Sequence, residues 1–139
     1  MEKRGLVKLE FDMKPQVMQA NQRVVEAFGR VAVQRGPLVY CLEQMDQPDG
    51  VALYDVSFDL RGGSGPQFHE EFAKDLLDGV LVLTHPGAVR VGPGASGLYR
   101  RYAAEMSNTR KIELKLIPYY AWANRTETAM QVWTPALKA

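Results

Sequence analysis

The sequence predicts an all-β chain: an antiparallel β-sandwich, jelly-roll-like, with little or no helix. Three observations point there. Short apolar-rich runs recur at regular spacing, divided by Gly- and Pro-containing turns. Several runs alternate apolar and polar residues, the period of a half-buried strand. One run, Leu38-Val39-Tyr40-Cys41-Leu42-Glu43, is apolar on both faces and follows a Gly36-Pro37 corner. Pro37 fixes its own φ and donates no ladder bond, so a strand begins there, and a strand apolar on both sides is covered on both.

In chain order, Val7, Leu9, Phe11 and Met13 alternate with Lys8, Glu10 and Asp12, which predicts a strand with one wet face that Pro15 ends. Val31-Ala32-Val33-Gln34 is a second strand and the run after Pro37 a third. Asp46-Gln47-Pro48-Asp49-Gly50 is a turn cluster. Tyr54, Val56, Phe58 and Leu60 alternate with Asp55, Ser57 and Asp59 as another strand, and a Gly-rich loop covers 61–66. Residues 67–77 admit two readings. Phe68, Phe72, Leu76 and Leu77 fit one helical face with Gly79 as a C-cap; a strand through Glu71 and a tight turn over 75–79 fits as well. The surrounding strands favour the second. Val80-Leu81-Val82-Leu83 is a buried strand that His85-Pro86-Gly87 breaks, and 98–105 fits either type. Ile112, Leu114 and Leu116 alternate with Lys111, Glu113 and Lys115, and the run continues to Asn124. Residues 130–133 form the last strand, so 124–128 form a hairpin loop.

The 139 residues suit one domain, 1–139, with a core of its own. Seventeen Lys and Arg against 16 Asp and Glu leave a net charge of +1, which argues against nucleic-acid binding. No run approaches a membrane span. Met1-Glu2-Lys3-Arg4 is charged and no apolar stretch follows, so it does not read as a signal peptide. The single cysteine excludes an intrachain disulfide and a multi-cysteine zinc site.

Candidate chemistry is thin. Gly92-Pro93-Gly94-Ala95-Ser96-Gly97 matches G-x-G-x-x-G, but Pro93 removes an amide that would cradle a phosphate, and no βαβ pattern surrounds it. It reads as a surface loop. Cys41 reads as a packing residue rather than a nucleophile. His69 and His85 are too sparse for a metal and read as surface or loop residues; His69-Glu70-Glu71 is not H-E-x-x-H. Glu10, Asp12 and Glu113 lie on wet faces. Glu43, at the end of a buried strand, reads as a cap or a partner of Arg35. The best site candidates are aromatic. Tyr119, Tyr120, Trp122 and Trp133 fall on neighbouring strands of the predicted hairpin, and Tyr120, Trp122 and Trp133 could stack on sugar faces. Core or interface packing is the favoured alternative. No residue is assigned to catalysis, metal or cofactor.

Two blocks carry a resemblance. The first spans 30–43 and contains Arg35-Gly36-Pro37-Leu38-Val39-Tyr40-Cys41-Leu42-Glu43. The second spans 116–125, Leu-Ile-Pro-Tyr-Tyr-Ala-Trp-Ala-Asn-Arg, followed by Met130-Gln131-Val132-Trp133. Together with Met18-Gln19-Ala20-Asn21 and the 75–80 turn, their order and spacing resemble the C-terminal region of the β-L-arabinofuranosidase family, glycoside hydrolase family 127. The resemblance implies a non-catalytic β-sandwich accessory domain that packs on a catalytic (α/α)6 barrel and offers contacts for a homodimer. It also supports the strand for 67–74. The family's cysteine nucleophile, cysteine-and-glutamate zinc site and glutamate acid/base match no position here. Thr126-Glu127-Thr128 replaces the family's usual glycine-rich turn after Asn-Arg.

Overall fold

A computed structural model of the chain describes residues 5–62, 66–91, 98–99, 101 and 108–138. The 92–97 motif, parts of the 61–66 loop and most of 98–105 lie outside the described residues. Nine strands are described: β1 (Pro15–Met18), β2 (Arg30–Arg35), β3 (Leu38–Glu43), β4 (Val56–Asp59), β5 (His69–Ala73), β6 (Val80–Arg90), β7 (Thr109–Pro118), β8 (Met130–Gln131) and β9 (Thr134–Leu137). The helical pieces among the described residues are single 3-10 turns, at Val25–Ala27, Gln44–Asp46, Leu53–Asp55 and Tyr119–Ala121. None is long and apolar enough to cross a membrane.

The strands do not form the expected antiparallel jelly-roll sandwich. They close in the order β2-β9-β4-β6-β7-β3 and back to β2, a six-stranded barrel, with β1, β5 and β8 added outside the ring. Closure turns on β2. It pairs with β9 through Arg30 and Val31, and with β3 through Val33, Gln34 and Arg35. Nor is the ring wholly antiparallel: β4 and β9 run parallel, with Phe58 opposite Ala136. An alternating strand buries one face equally well in a sandwich or a barrel, so the pattern alone does not separate them; the ring removes edges that a sandwich leaves open.

The barrel is filled, not hollow. Val31 and Val33, Tyr40 and Leu42, Val56 and Phe58, Leu83 and Val89, and Leu114 and Leu116 enter at alternate positions and form one buried cluster. A second cluster lies on the opposite face of the same strands: Cys41, Val80, Val82, Ile117 and Ala121, flanked by Ala73, Leu76, Met130 and Val132. The doubly apolar β3 thus serves two cores, with Tyr40 and Leu42 in one and Cys41 in the other. Gly36 turns the chain from β2 into β3 at φ +55, a conformation side chains resist.

Other expectations fail locally. Residues 7–13 form no strand; pairing starts at Pro15, where it was expected to end. They have no partner strand among the described residues. β6 is not broken at His85-Pro86-Gly87 but runs on to Arg90. Along one edge, β5 pairs up to Thr84 and β4 starts at Gly87, so Pro86 sits between two partners, where that edge has no ladder bond to lose. Gly87 is needed there, since a Cβ would lie 2.5 Å from Leu114 Cγ and 3.0 Å from the Ser57 carbonyl oxygen. Residues 130–133 are not one strand: β8 ends at Gln131, Val132 and Trp133 lie before β9, and β8 pairs with β3 rather than returning along β7, so 124–128 is no hairpin loop. The strand and turn over 69–79 are as the second reading had them.

Candidate functional site

The end of β3 organises the most elaborate polar cluster described. Glu43, the last residue of β3, is buried, and the following 3-10 turn places Asp46 beside it. β7 ends at Pro118, whose extended backbone leads into the Tyr119–Ala121 turn and a loop that returns to β8. Arg125, on that loop, bonds both carboxylates. Its Nη2 donates to Glu43 Oε2 and to Asp46 Oδ2, and its Nη1 donates to Asp46 Oδ1 at 2.8 Å. Lys115 on β7 adds a second cation, 3.4 Å from Asp46 Oδ1. Glu43 Oε1 accepts the Ala123 amide at 2.8 Å, where Ala123 takes φ +59. The Gln47 side-chain amide then joins the strands, donating to the carbonyls of Glu43 and Lys115 at 2.9 and 3.0 Å.

This arrangement latches a loop; it does not prepare a proton donor. Burial pushes the Asp46 carboxyl up, but hydrogen bonds from Arg125 and the Lys115 charge outweigh it and hold the carboxyl below its ordinary value. Hydrogen bonding to Asp46 likewise raises the Arg125 guanidinium further. Asp46 thus lacks the raised-pKa character of a glycosidase acid, and the oxygens of both carboxylates are taken up by Arg125, Lys115 and the Ala123 amide. Glu43 does not pair with Arg35, as expected from their proximity in sequence; Arg35 instead bonds Glu70 at 2.9 Å. Glu43 ends β3 facing the β7 loop, whereas Arg35 lies on β2 before the corner.

Cys41 is fully buried, and burial, then the Glu43 and Asp46 charges, push its thiol up to about 12. So little thiolate exists near neutral pH that a nucleophilic role has no chemical basis. His69 is exposed. His85, expected at the surface, is buried between the rings of Phe58 and Phe68, at centroid distances of 5.4 and 4.7 Å. It points inward because β6 continues through it. Burial pushes its pKa down. Among the described residues, no group of three His, Cys, Asp or Glu could hold a metal ion.

The aromatic candidates are not on hairpin strands. Tyr119 and Tyr120 lie in the 3-10 turn and Trp122 just beyond it, because the chain leaves the sheet at Pro118. Their exposures are 47%, 64% and 37%, which rules out core packing for them. Tyr119 and Trp122 form a tilted ring pair 6.0 Å apart. Asn124 Nδ2 donates to the carbonyls of Tyr120 and Trp122, both at 3.1 Å, and fixes the turn's shape. Trp133 lies elsewhere, half-buried between β8 and β9. It lines an apolar groove with Met18, Ala32, Val39 and Val132, whose walls include neither Tyr120 nor Trp122. The structure therefore divides the three candidates into an exposed pair and a separate groove residue. Sequence reasoning missed Arg125, 82 positions from Glu43; the signal available was its place directly after the aromatic run.

The fold and this site define a class: a filled β-barrel with a latched aromatic loop, and, among the described residues, no free acid–base pair or activated nucleophile. The chain belongs to the glycoside hydrolase family 127 C-terminal domain, whose family model matches residues 15–135. The non-reducing end β-L-arabinofuranosidase of Bifidobacterium longum subsp. longum is 36% identical over 127 residues, 91% of this chain and 19% of that protein. A solved family 127 β-L-arabinofuranosidase from Geobacillus stearothermophilus T6 superposes with a TM-score of 0.70 at 32% identity, over 91% of this chain and 18% of that one. A structure described as a glycoside hydrolase gives a TM-score of 0.77 at 27% identity, over 90% of this chain and 20% of its own. The chain thus spans about a fifth of the curated relative's length.

Proposed function

We propose that this chain, 1–139, is one non-catalytic accessory domain of a β-L-arabinofuranosidase-like glycoside hydrolase, and that it packs on a helical catalytic barrel outside the chain. The observation that carries the reading is the coverage: nine-tenths of this chain matches less than a fifth of a β-L-arabinofuranosidase. The site supports it, since Glu43 and Asp46 are committed to Arg125 and Lys115, and Cys41 is buried as a thiol. The exposed Tyr119, Tyr120 and Trp122 give the packing surface large, rigid rings, the residues that anchor interfaces. The test is arabinose release from a β-L-arabinofuranoside. The full-length protein carrying this domain releases it and the 139-residue chain releases none; release by the chain alone would overturn the reading.

A second reading has one observation in its favour: the Tyr120 and Trp122 rings face solvent and could stack on sugar. Titration with arabinose-containing oligosaccharides, followed by tryptophan fluorescence, separates the two. A saturable change that Trp122→Ala removes supports sugar binding, and a flat signal at millimolar sugar rejects it. A homodimer would bury the same rings, and light scattering of the purified chain reads that out.

A further inference from the structure

We infer that residues 5–13 are a β-strand whose partner is an open sheet edge in the polypeptide upstream of this domain. The pattern is that of a strand: Val7, Leu9, Phe11 and Met13 on one side, Lys8, Glu10 and Asp12 on the other. Yet the segment joins no ladder, and Leu6, Val7, Leu9 and Phe11 are 97%, 81%, 75% and 62% exposed. A strand of this pattern belonging to the barrel would bury one face on it; here only Met13, at its end, is half-buried. Nine residues at about 3.3 Å each span roughly 30 Å, within the usual range of strand lengths.

Two features set the segment apart from the barrel. Met13, half-buried, packs over Gly36 at the β2–β3 corner, and contact with the barrel ends with it. The family match also begins at residue 15, leaving 5–13 outside the C-terminal domain proper. In the B. longum relative the matched region is 19% of the length, so four-fifths of a family protein lies elsewhere and can supply the edge. Lys8 and Glu10 pair with each other on the polar side, which leaves the apolar side for the partner sheet. The inference goes beyond the proposed function: it requires a sheet edge upstream, whatever reaction the full-length protein performs.

Hydrogen exchange read by mass spectrometry tests it on the 139-residue chain and on the full-length protein that carries it. The expected result is near-intrinsic exchange of the 5–13 amides in the chain alone, and exchange slowed by about 100-fold or more in the full-length protein. Leu9→Asp, on the apolar side, removes that protection, whereas Lys8→Ser, on the polar side, keeps it. Both variants leave the melting of the isolated chain unchanged, because neither side chain touches the barrel core. Equally fast exchange in both proteins overturns the inference. Protection in the isolated chain also overturns it: if concentration-dependent, the partner is a second copy; if not, it is this barrel.

Discussion

The two ends of β3 differ in what completes them. Its inward residues, Tyr40 and Leu42, enter a barrel that the chain closes by itself. Its last residue, Glu43, reaches out to hold a loop whose rings the chain leaves uncovered. The barrel closes within the chain; the loop is held in shape with its rings exposed. The same contrast separates β1, paired along β2, from residues 5–13, paired with nothing described. Burial is concentrated where strands share a closed core, and the exposed rings sit on a loop that projects from it.

The largest expected effects sharpen this contrast by striking each side once. Phe58→Ala empties a fully buried site and destabilises by about 3–5 kcal/mol. Arg125→Ala strands the buried Glu43 and Asp46 charges, at a cost of about 3–5 kcal/mol. Urea unfolding measures both. The two differ in kind: a charge-removing second substitution, Glu43→Gln, recovers part of the Arg125→Ala loss and none of the Phe58→Ala loss. Gly87→Ala comes next, at about 1–3 kcal/mol, because its Cβ must displace the Leu114 side chain.

pH acts in the same direction at both places. His85 has its pKa lowered in the fold, so the unfolded chain takes up its proton first, and stability falls as pH drops below the ordinary value of 6.5. Asp46 is also lowered, so its contribution is complete above its ordinary value of 3.8 and is lost as pH falls through the folded value. Melting temperatures therefore decline in two steps on acidification, and His85→Gln flattens only the upper one. The smallest effect is at the loop surface: Trp122→Ala changes the stability of the isolated chain by less than about 1 kcal/mol. A much larger loss would mean that the ring belongs to the core.

Much of the barrel was legible because its strands carry local signals. The Gly36-Pro37 corner placed β3, period-2 alternation placed β4 and β7, and the two-faced apolar pattern of β3 matched its two clusters. Closure was not legible. It rests on β2 meeting β9 across about a hundred residues, and on a short strand, β9, whose Pro135 hid it. β6 was cut short because a proline in a strand is harmless only where neighbours change, and the neighbours are not written locally. The alternation at 7–13 predicted a strand that the chain does not form: a period-2 pattern describes a face that burial would suit, and it does not supply the partner. At the site, the aromatic run was visible, but its departure from the sheet at Pro118 was not, nor was the Glu43–Arg125 latch, which only tertiary folding brings together.

The central claim is that the barrel is complete within this chain. Hydrogen exchange across β3, β6 and β7 of the isolated 139-residue protein tests it most directly. The account predicts that their amides exchange only through global unfolding, more than about 1,000-fold slower than free peptide. If those strands exchange as fast as residues 5–13, the barrel depends on something outside this chain and the claim is wrong.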